Sequence, residues 1–161
     1  MPDDSGPELI GLISDTHGLL RPSVHTAFAG VDLILHAGDV GGSEILEELR
    51  LIAPVQAVFS NTDTPDDPIL QEEIIISSGG LSIHVSHGHE LGAPTAERLL
   101  AAYPQDVLVY GHTHQQLVSR VDGRLIINPG AAGPRRFDVE PSVACLTVRN
   151  GKAEVEIVPI N

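Results

Sequence analysis

The sequence predicts an α/β protein in which two β-sheets pack together with helices on the outside. Three observations predict it. Short apolar runs alternate with helix-like stretches through the first half, the order of a parallel sheet with right-handed crossovers. The second half changes to strand-like runs joined by hairpin signals, the strongest being Asp122-Gly123 and Asn150-Gly151. The chain of 161 residues shows no repeat, linker or low-complexity tract, so a single domain over residues 8–160 is expected, preceded by a flexible leader at 1–7.

The elements follow in order. Leu9-Ile10-Gly11-Leu12-Ile13 is a continuous apolar run, the pattern of a strand buried on both faces. A short helix is expected over 20–29, then a second buried strand at Asp32-Leu33-Ile34-Leu35-His36. Ser43 is placed to cap a helix over 43–52 whose apolar side carries Leu46 and Leu49. Val55-Gln56-Ala57-Val58-Phe59 forms a third strand. Ile74–Ile76 and Leu81–Val85 flank Ser77-Ser78-Gly79-Gly80 and read as a hairpin. A helix over 94–102, with Pro94 in its first turn, leads to a strand at 107–110. Strand-like runs at 116–121, 124–127, 142–148 and 153–159 complete the chain, and this second half is expected to be antiparallel.

Composition narrows the function classes. Nine Lys and Arg against 22 Asp and Glu give a formal charge of −13, and only five residues are aromatic, two Tyr and three Phe. A long nucleic acid needs basic residues to displace its counterions and aromatic faces to stack on, and an anionic membrane needs basic residues too. None of these partners is expected. No apolar run approaches the roughly 18 residues of a membrane span, and the leader lacks a signal-like apolar region, so the cytoplasm is the default location. Cys145, alone in an apolar run, is expected to be a buried, inert thiol.

The chemistry sits just after the strands. Asp15-Thr16-His17 follows the first, Gly38-Asp39 the second and Asn61 the third. His87-Gly88-His89 follows the hairpin, and Gly111-His112-Thr113-His114 follows the strand at 107–110. The steps from Asp15 through Asp39, Asn61 and His87 to His112 are 24, 22, 26 and 25 residues, each about one strand plus its return. Donor side chains therefore recur at one end of successive strands, where open α/β sheets bind ligands. In Asp15-x-His17 and His112-x-His114, a two-residue step on extended backbone would point both side chains to one side. Seven oxygen and nitrogen donors exceed what one four-coordinate zinc takes and suit two cations sharing a carboxylate. With no Cys among them, Mn, Fe, Zn, Ni or Co fits better than a thiolate-seeking metal.

Taken together, Asp15-x-His17, Gly38-Asp39, Asn61, His87 and Gly111-His112-x-His114 resemble the calcineurin-like metallophosphoesterases, in particular their small prokaryotic phosphodiesterase group. The retromer scaffold subunit of eukaryotes resembles the same group. The resemblance spans about residues 8–158 and implies a four-layer α/β/β/α sandwich of two mixed β-sheets flanked by helices. It implies two divalent cations, Mn2+ foremost, with Ni2+, Fe2+, Zn2+ or Co2+ as substitutes. Asp15, His17 and His114 would hold one cation, Asn61, His87 and His112 the other, and Asp39 both. Asp39, Asn61 and His87 would stand at the heart of catalysis. The implied reaction is hydrolysis of a small phosphodiester by hydroxide attack on phosphorus. The alternative is a non-catalytic, protein-binding scaffold on the same fold.

Around this set, Arg135 and Arg136 follow Asn128-Pro129-Gly130 as in the family's Pro-Arg ending. They read either as contacts to a substrate phosphate or as solvated surface. His89 is a rim residue that can reach substrate. Asp63 reads either as a partner orienting a ligand His or as a turn cap. His36 and His84 lie inside strands and read as structural. The chain departs from the family in having Ser60 before the Asn donor, Ala131 after Asn-Pro-Gly, and Thr62 where larger members place a His. Thr62 cannot protonate a leaving group, so diesters with acidic, aryl-type leaving groups are expected to react best. Bound cations would offset the carboxylates of the cleft, so the acidic outer surface disfavours polyanions without excluding small phosphate esters. A homo-oligomer is compatible with the edge strands and with the habit of the family.

Overall fold

A computed structural model describes residues 7–60, 70–135 and 139–160. In chain order the strands of the first half are β1 (Glu8–Ile13), β2 (Leu33–His36), β3 (Val55–Val58), β4 (Leu70–Gln71) and β5 (Ile74–Ser78). Then come β6 (Leu81–Val85), β7 (Val107–Val109), β8 (Leu117–Val121), β9 (Arg124–Asn128), β10 (Ser142–Arg149) and β11 (Lys152–Pro159). The helices are α1 (Ser23–Ala27), α2 (Ser43–Arg50) and α3 (Ala96–Ala102).

These strands form a six-stranded sheet in the order β11-β10-β1-β2-β3-β4 and a five-stranded sheet in the order β5-β6-β7-β9-β8. Alternation along each strand divides the apolar residues between layers. Ile10, Leu12 and Leu35 from one sheet and Ile83, Val85, Val107, Val109 and Ile127 from the other share the core between the sheets. Ile13, Ile34 and Ala57 face outward against Val24 and Phe28 near α1 and against Ile45, Leu46 and Leu49 of α2. Leu108 and Ile126 face outward against Leu99 of α3. The result is the four-layer α/β/β/α sandwich. Gly11 lets α1 approach: a Cβ there would sit 2.9 Å from the Phe28 ring. No helix among the described residues is long and apolar enough to cross a membrane.

The topology departs from the expected parallel-then-antiparallel division. β6, β7 and β9 are mutually parallel, because α3 carries the chain back between β6 and β7. The last two strands return to the first sheet, with β10 antiparallel to β1 in the register Ile10↔Leu146 and Leu12↔Ala144. β10 needs an interior place, since Ala144 and Leu146 face the other sheet while Val143 and Cys145 face the α1–α2 layer. Cys145 is half-buried rather than buried, with Sγ donating to the Ala27 carbonyl at 3.4 Å. Burial pushes its thiol up, which keeps it unreactive.

Local signals also resolve differently. Ser43 is the first residue of α2 and makes no cap; Gly42, at φ 142°, precedes it. Pro94 lies before α3, whose cap is Thr95, accepting from the Arg98 amide at 3.1 Å. In the β5–β6 hairpin, Ser77 and Ser78 stay paired with Ser82 and Leu81, leaving Gly79-Gly80 as the turn. β4 has only two residues, too short for any periodic signal.

Candidate metal centre

The loops after β1, β2, β6 and β7 bring their donors to one end of the sandwich. Asp15, His17, Asp39 and His114 form one group, and Asp39, His87 and His112 a second; within each, one ligand atom per residue lies within 4.8 Å of the others. Asp39 belongs to both. Its Oδ2 stands 3.4 Å from His17 Nε2 and 3.3 Å from His87 Nε2. Asp15 Oδ1 stands 3.7 Å from His114 Nε2. Asn61, Asp63, Thr62 and Arg136 lie outside the described residues. Arg135 is exposed. His89 flanks the centre, its ring centroid 5.3 Å from that of His87.

The backbone reaches this arrangement by an unexpected route. Asp15, His17, Asp39, His112 and His114 all have positive φ, between 45° and 73°. The other described non-glycine residues with positive φ are Asp122 and Asn150, in the Asp-Gly and Asn-Gly hairpin turns. The expectation that an extended step aligns Asp15 with His17, and His112 with His114, is therefore wrong. Left-handed residues bend the chain sharply as it leaves each strand, and the donor side chains converge because of that bend. A left-handed side chain costs on the order of 1 kcal/mol or more, and such strain concentrates at functional sites. What holds it here is the residue between each pair. Thr16 Oγ1 donates to the Val40 carbonyl at 2.8 Å, and Thr113 Oγ1 accepts from Asn128 Nδ2 at 3.0 Å. Buried Asn128 also donates to the Gly111 carbonyl and accepts from the Gly130 amide, so the Asn-Pro-Gly turn clamps the His112–His114 loop.

Neighbouring groups orient the donors. His87 Nδ1 donates to the Ala37 carbonyl at 2.8 Å, which fixes a proton there and turns Nε2 toward Asp39. His112 Nδ1 lies 3.2 Å from that Nε2. Ser14 donates to Asp15 Oδ2 at 2.8 Å, and Ser60 makes a short hydrogen bond to Asp39 Oδ1. Each carboxylate is thus tied by a serine through one oxygen and turns the other toward histidines. His36 accepts from the Gly38 amide on Nδ1 and contacts Thr16 Oγ1 through Nε2 at 2.9 Å, tying the two Asp-bearing loops together. The supporting roles of Ser14, Thr16 and Ser60 were not visible in the sequence, where Ser60 showed only as a departure from the family pattern; His36 is structural, as its place inside a strand suggested.

The residues present fit a pair of cations. Asp15 is fully buried, and its Oδ1 makes no hydrogen bond among the described residues. A buried carboxylate oxygen in that state calls for a positive partner. Burial, reinforced by the adjacent Asp39, pushes the Asp15 carboxyl from 3.8 up to about 7, against the lowering by the His87 charge and the Ser14 hydroxyl. Burial works to lower His87, but its bond to Asp39 and the charges of Asp39 and Asp15 outweigh it and raise it. Burial and the nearby His87 lower His112, which favours its neutral, ligating form.

These shifts set a pH dependence. Between about 4 and about 7 the folded, metal-free protein holds a proton on Asp15 that the unfolded chain has released, so this group makes stability fall as pH rises. His87, raised, acts in the same direction. A cation replaces the proton and removes the effect. In chelator, the urea midpoint of wild type should decline more steeply across this window than that of Asp15→Asn. Equal slopes would contradict the assignment.

Known proteins match this sequence and fold. Residues 9–151 match the calcineurin-like phosphoesterase superfamily domain, and the chain belongs to that family. A probable metallophosphoesterase of Methanothermobacter thermautotrophicus is 34% identical over 93% of this chain and 91% of its own. A phosphodiesterase of Methanocaldococcus jannaschii is 29% identical over 75% of this chain and 82% of its own. Among solved structures, Vps29 of Entamoeba histolytica in complex with zinc superposes with a TM-score of 0.75 at 27% identity, covering 95% of this chain and 99% of that one.

Proposed function

We propose that this protein hydrolyses small phosphodiesters at a centre of two divalent cations, Mn2+ foremost, held by Asp15, His17, Asp39, Asn61, His87, His112 and His114. The observation that carries the reading is Asp39, whose Oδ2 stands between His17 and His87 and which belongs to both donor groups. When bound, two such cations neutralise charge on a phosphoryl group and make a nucleophile available near neutral pH.

The chain's own residues do the rest. Asp39, tied by Ser60, sets the distance between the two halves of the site. His87, whose Nδ1 proton is donated to the Ala37 carbonyl, would offer Nε2 to a cation. Asn61 contributes a neutral oxygen, which leaves its cation more electrophilic than a carboxylate would. His89 and Arg135 serve the substrate at the rim. Second, a protein-binding scaffold on the same fold is favoured by the likeness to Vps29.

One assay separates the two. Bis(4-nitrophenyl) phosphate should be turned over by Mn2+-loaded protein, the turnover should stop with chelator, and Mn2+ should restore it. A dialkyl phosphate should react at least a hundredfold more slowly, because Thr62 offers no acid for the leaving group. Turnover that chelator leaves untouched, or none at all, would remove the enzyme reading; equal aryl and alkyl rates would remove the leaving-group argument.

A further inference from the structure

Beside the centre lies a cavity of about 170 Å³ whose walls include Phe59, Tyr103, Glu72, Glu73 and Glu90. It is smaller than the roughly 300 Å³ at which pockets begin to hold drug-sized ligands, so it suits a fragment of a few heavy atoms. His89 lines it and links it to the centre through its neighbour His87.

Its acidic wall is built rather than incidental. The Tyr103 ring stacks on buried His84 with centroids 3.8 Å apart, and His84 Nε2 meets Glu73 Oε2 at 2.7 Å. The Tyr103 hydroxyl donates to Glu90 Oε2 at 2.6 Å, and Glu90 Oε1 accepts from the Gly88 amide at 3.0 Å. Burial works against the charge of Glu90, but the Tyr103 hydroxyl and backbone bonds outweigh it and hold the carboxyl below its ordinary value. Glu90 is therefore a fixed negative charge.

Two buried polar atoms complete the lining. Ser86 is 1% exposed and lines the cavity, and its hydroxyl lies close enough to Glu90 and Tyr103 to lower both. His89 Nδ1, also buried, has no hydrogen-bond partner among the described residues.

We propose that this cavity seats the ammonium group on one alcohol arm of a zwitterionic phosphodiester while the phosphate lies at the metal centre. The proposal rests on the phosphodiesterase reading and narrows its substrate class. Three carboxylates repel an anionic arm and leave a neutral one unrewarded. Phe59 and Tyr103 add the aromatic faces on which ammonium groups are recognised. Substrate and site would then be matched end to end: anion to the cations, cation to the glutamates.

The test compares two esters of 4-nitrophenyl phosphate that differ in one charge, the choline ester and its neutral 3,3-dimethylbutyl isostere. Mn2+-loaded wild type should favour the choline ester by about tenfold in kcat/KM, the scale of one desolvated ammonium–aromatic contact. The ratio should fall toward one in Glu90→Gln and in Glu72→Gln, an exposed position where misfolding is not a concern. Hydrolysis of both esters at equal rates would overturn the cavity proposal and leave the phosphodiesterase reading standing. No hydrolysis of either ester or of bis(4-nitrophenyl) phosphate would overturn the phosphodiesterase reading instead. A second measurement then decides the cavity alone: in metal-free protein, choline should give saturable amide shifts over residues 86–91 and 103, and 3,3-dimethylbutanol should not. Shifts that are the same for both compounds, or absent, would refute it.

Discussion

Asp39→Asn is expected to lower kcat/KM on an aryl phosphodiester by about a thousandfold or more and to leave at most one cation bound. Oδ1 is held by Ser60, so the replacement turns its other atom, now an NH2 group, toward His17 and His87. That group has no lone pair for a cation, and the charge shared by both donor groups is gone. A thousandfold corresponds to about 4 kcal/mol, in the range of several kcal/mol by which cations stabilise charge in a transition state. Metal content after gel filtration, read beside the rate, checks this. Far-UV circular dichroism in chelator separates it from misfolding: the variant should keep the wild-type spectrum, since Ser60 can still donate to Oδ1 of the new side chain. Two cations retained with a near wild-type rate would refute the shared role.

Gly38→Ala should damage both the fold and the site. Gly38 has φ 102°, and a Cβ there would lie 2.5 Å from His87 Nδ1 and 2.8 Å from its Cγ. The imidazole would have to move, breaking its bond to the Ala37 carbonyl. Strain and overpacking together suggest a loss of about 2–4 kcal/mol, or roughly 5–12 °C in Tm for a chain of this size. Losing the group that orients a ligand His should also weaken metal binding by about 10–100-fold. Gly30→Ala is the control: φ is 85°, but nothing lies within 4 Å of the added Cβ. A Gly38→Ala protein that melts and binds metal like Gly30→Ala would show that the glycine does not make room for His87.

Much of this was legible in the sequence. Donors after successive strands located the centre, because a strand's end is set by its apolar run and the donors follow within a few residues. The motif glycine before Asp39 was visible, but its reason was not: it clears space for a His 49 positions later. The left-handed donors were invisible because Asp and His carry no strong signal for positive φ, unlike Asp122-Gly123 and Asn150-Gly151, where the turn chemistry announces it. The parallel trio β6, β7 and β9 was missed because a short buried run reads the same in either direction. Its direction is fixed by α3, a tertiary fact. Ser14, Thr16 and Ser60 act through single hydrogen bonds, and an isolated hydroxyl carries no periodicity to betray it.

The five left-handed donors bear on how such a chain ages. At each of those positions glycine or asparagine would relieve the backbone, so mutation away from Asp or His is downhill for folding. Against that relief stand the hydrogen bonds that tie Asp15 to Ser14 and Asp39 to Ser60, and the chemistry proposed for the donors. A lineage freed from that chemistry would drift toward relaxed loops within its own stability margin and gain robustness as it lost the centre. This chain has all five donors still in their costly conformations. On the function proposed above, the strain these angles carry is what the centre takes from the fold.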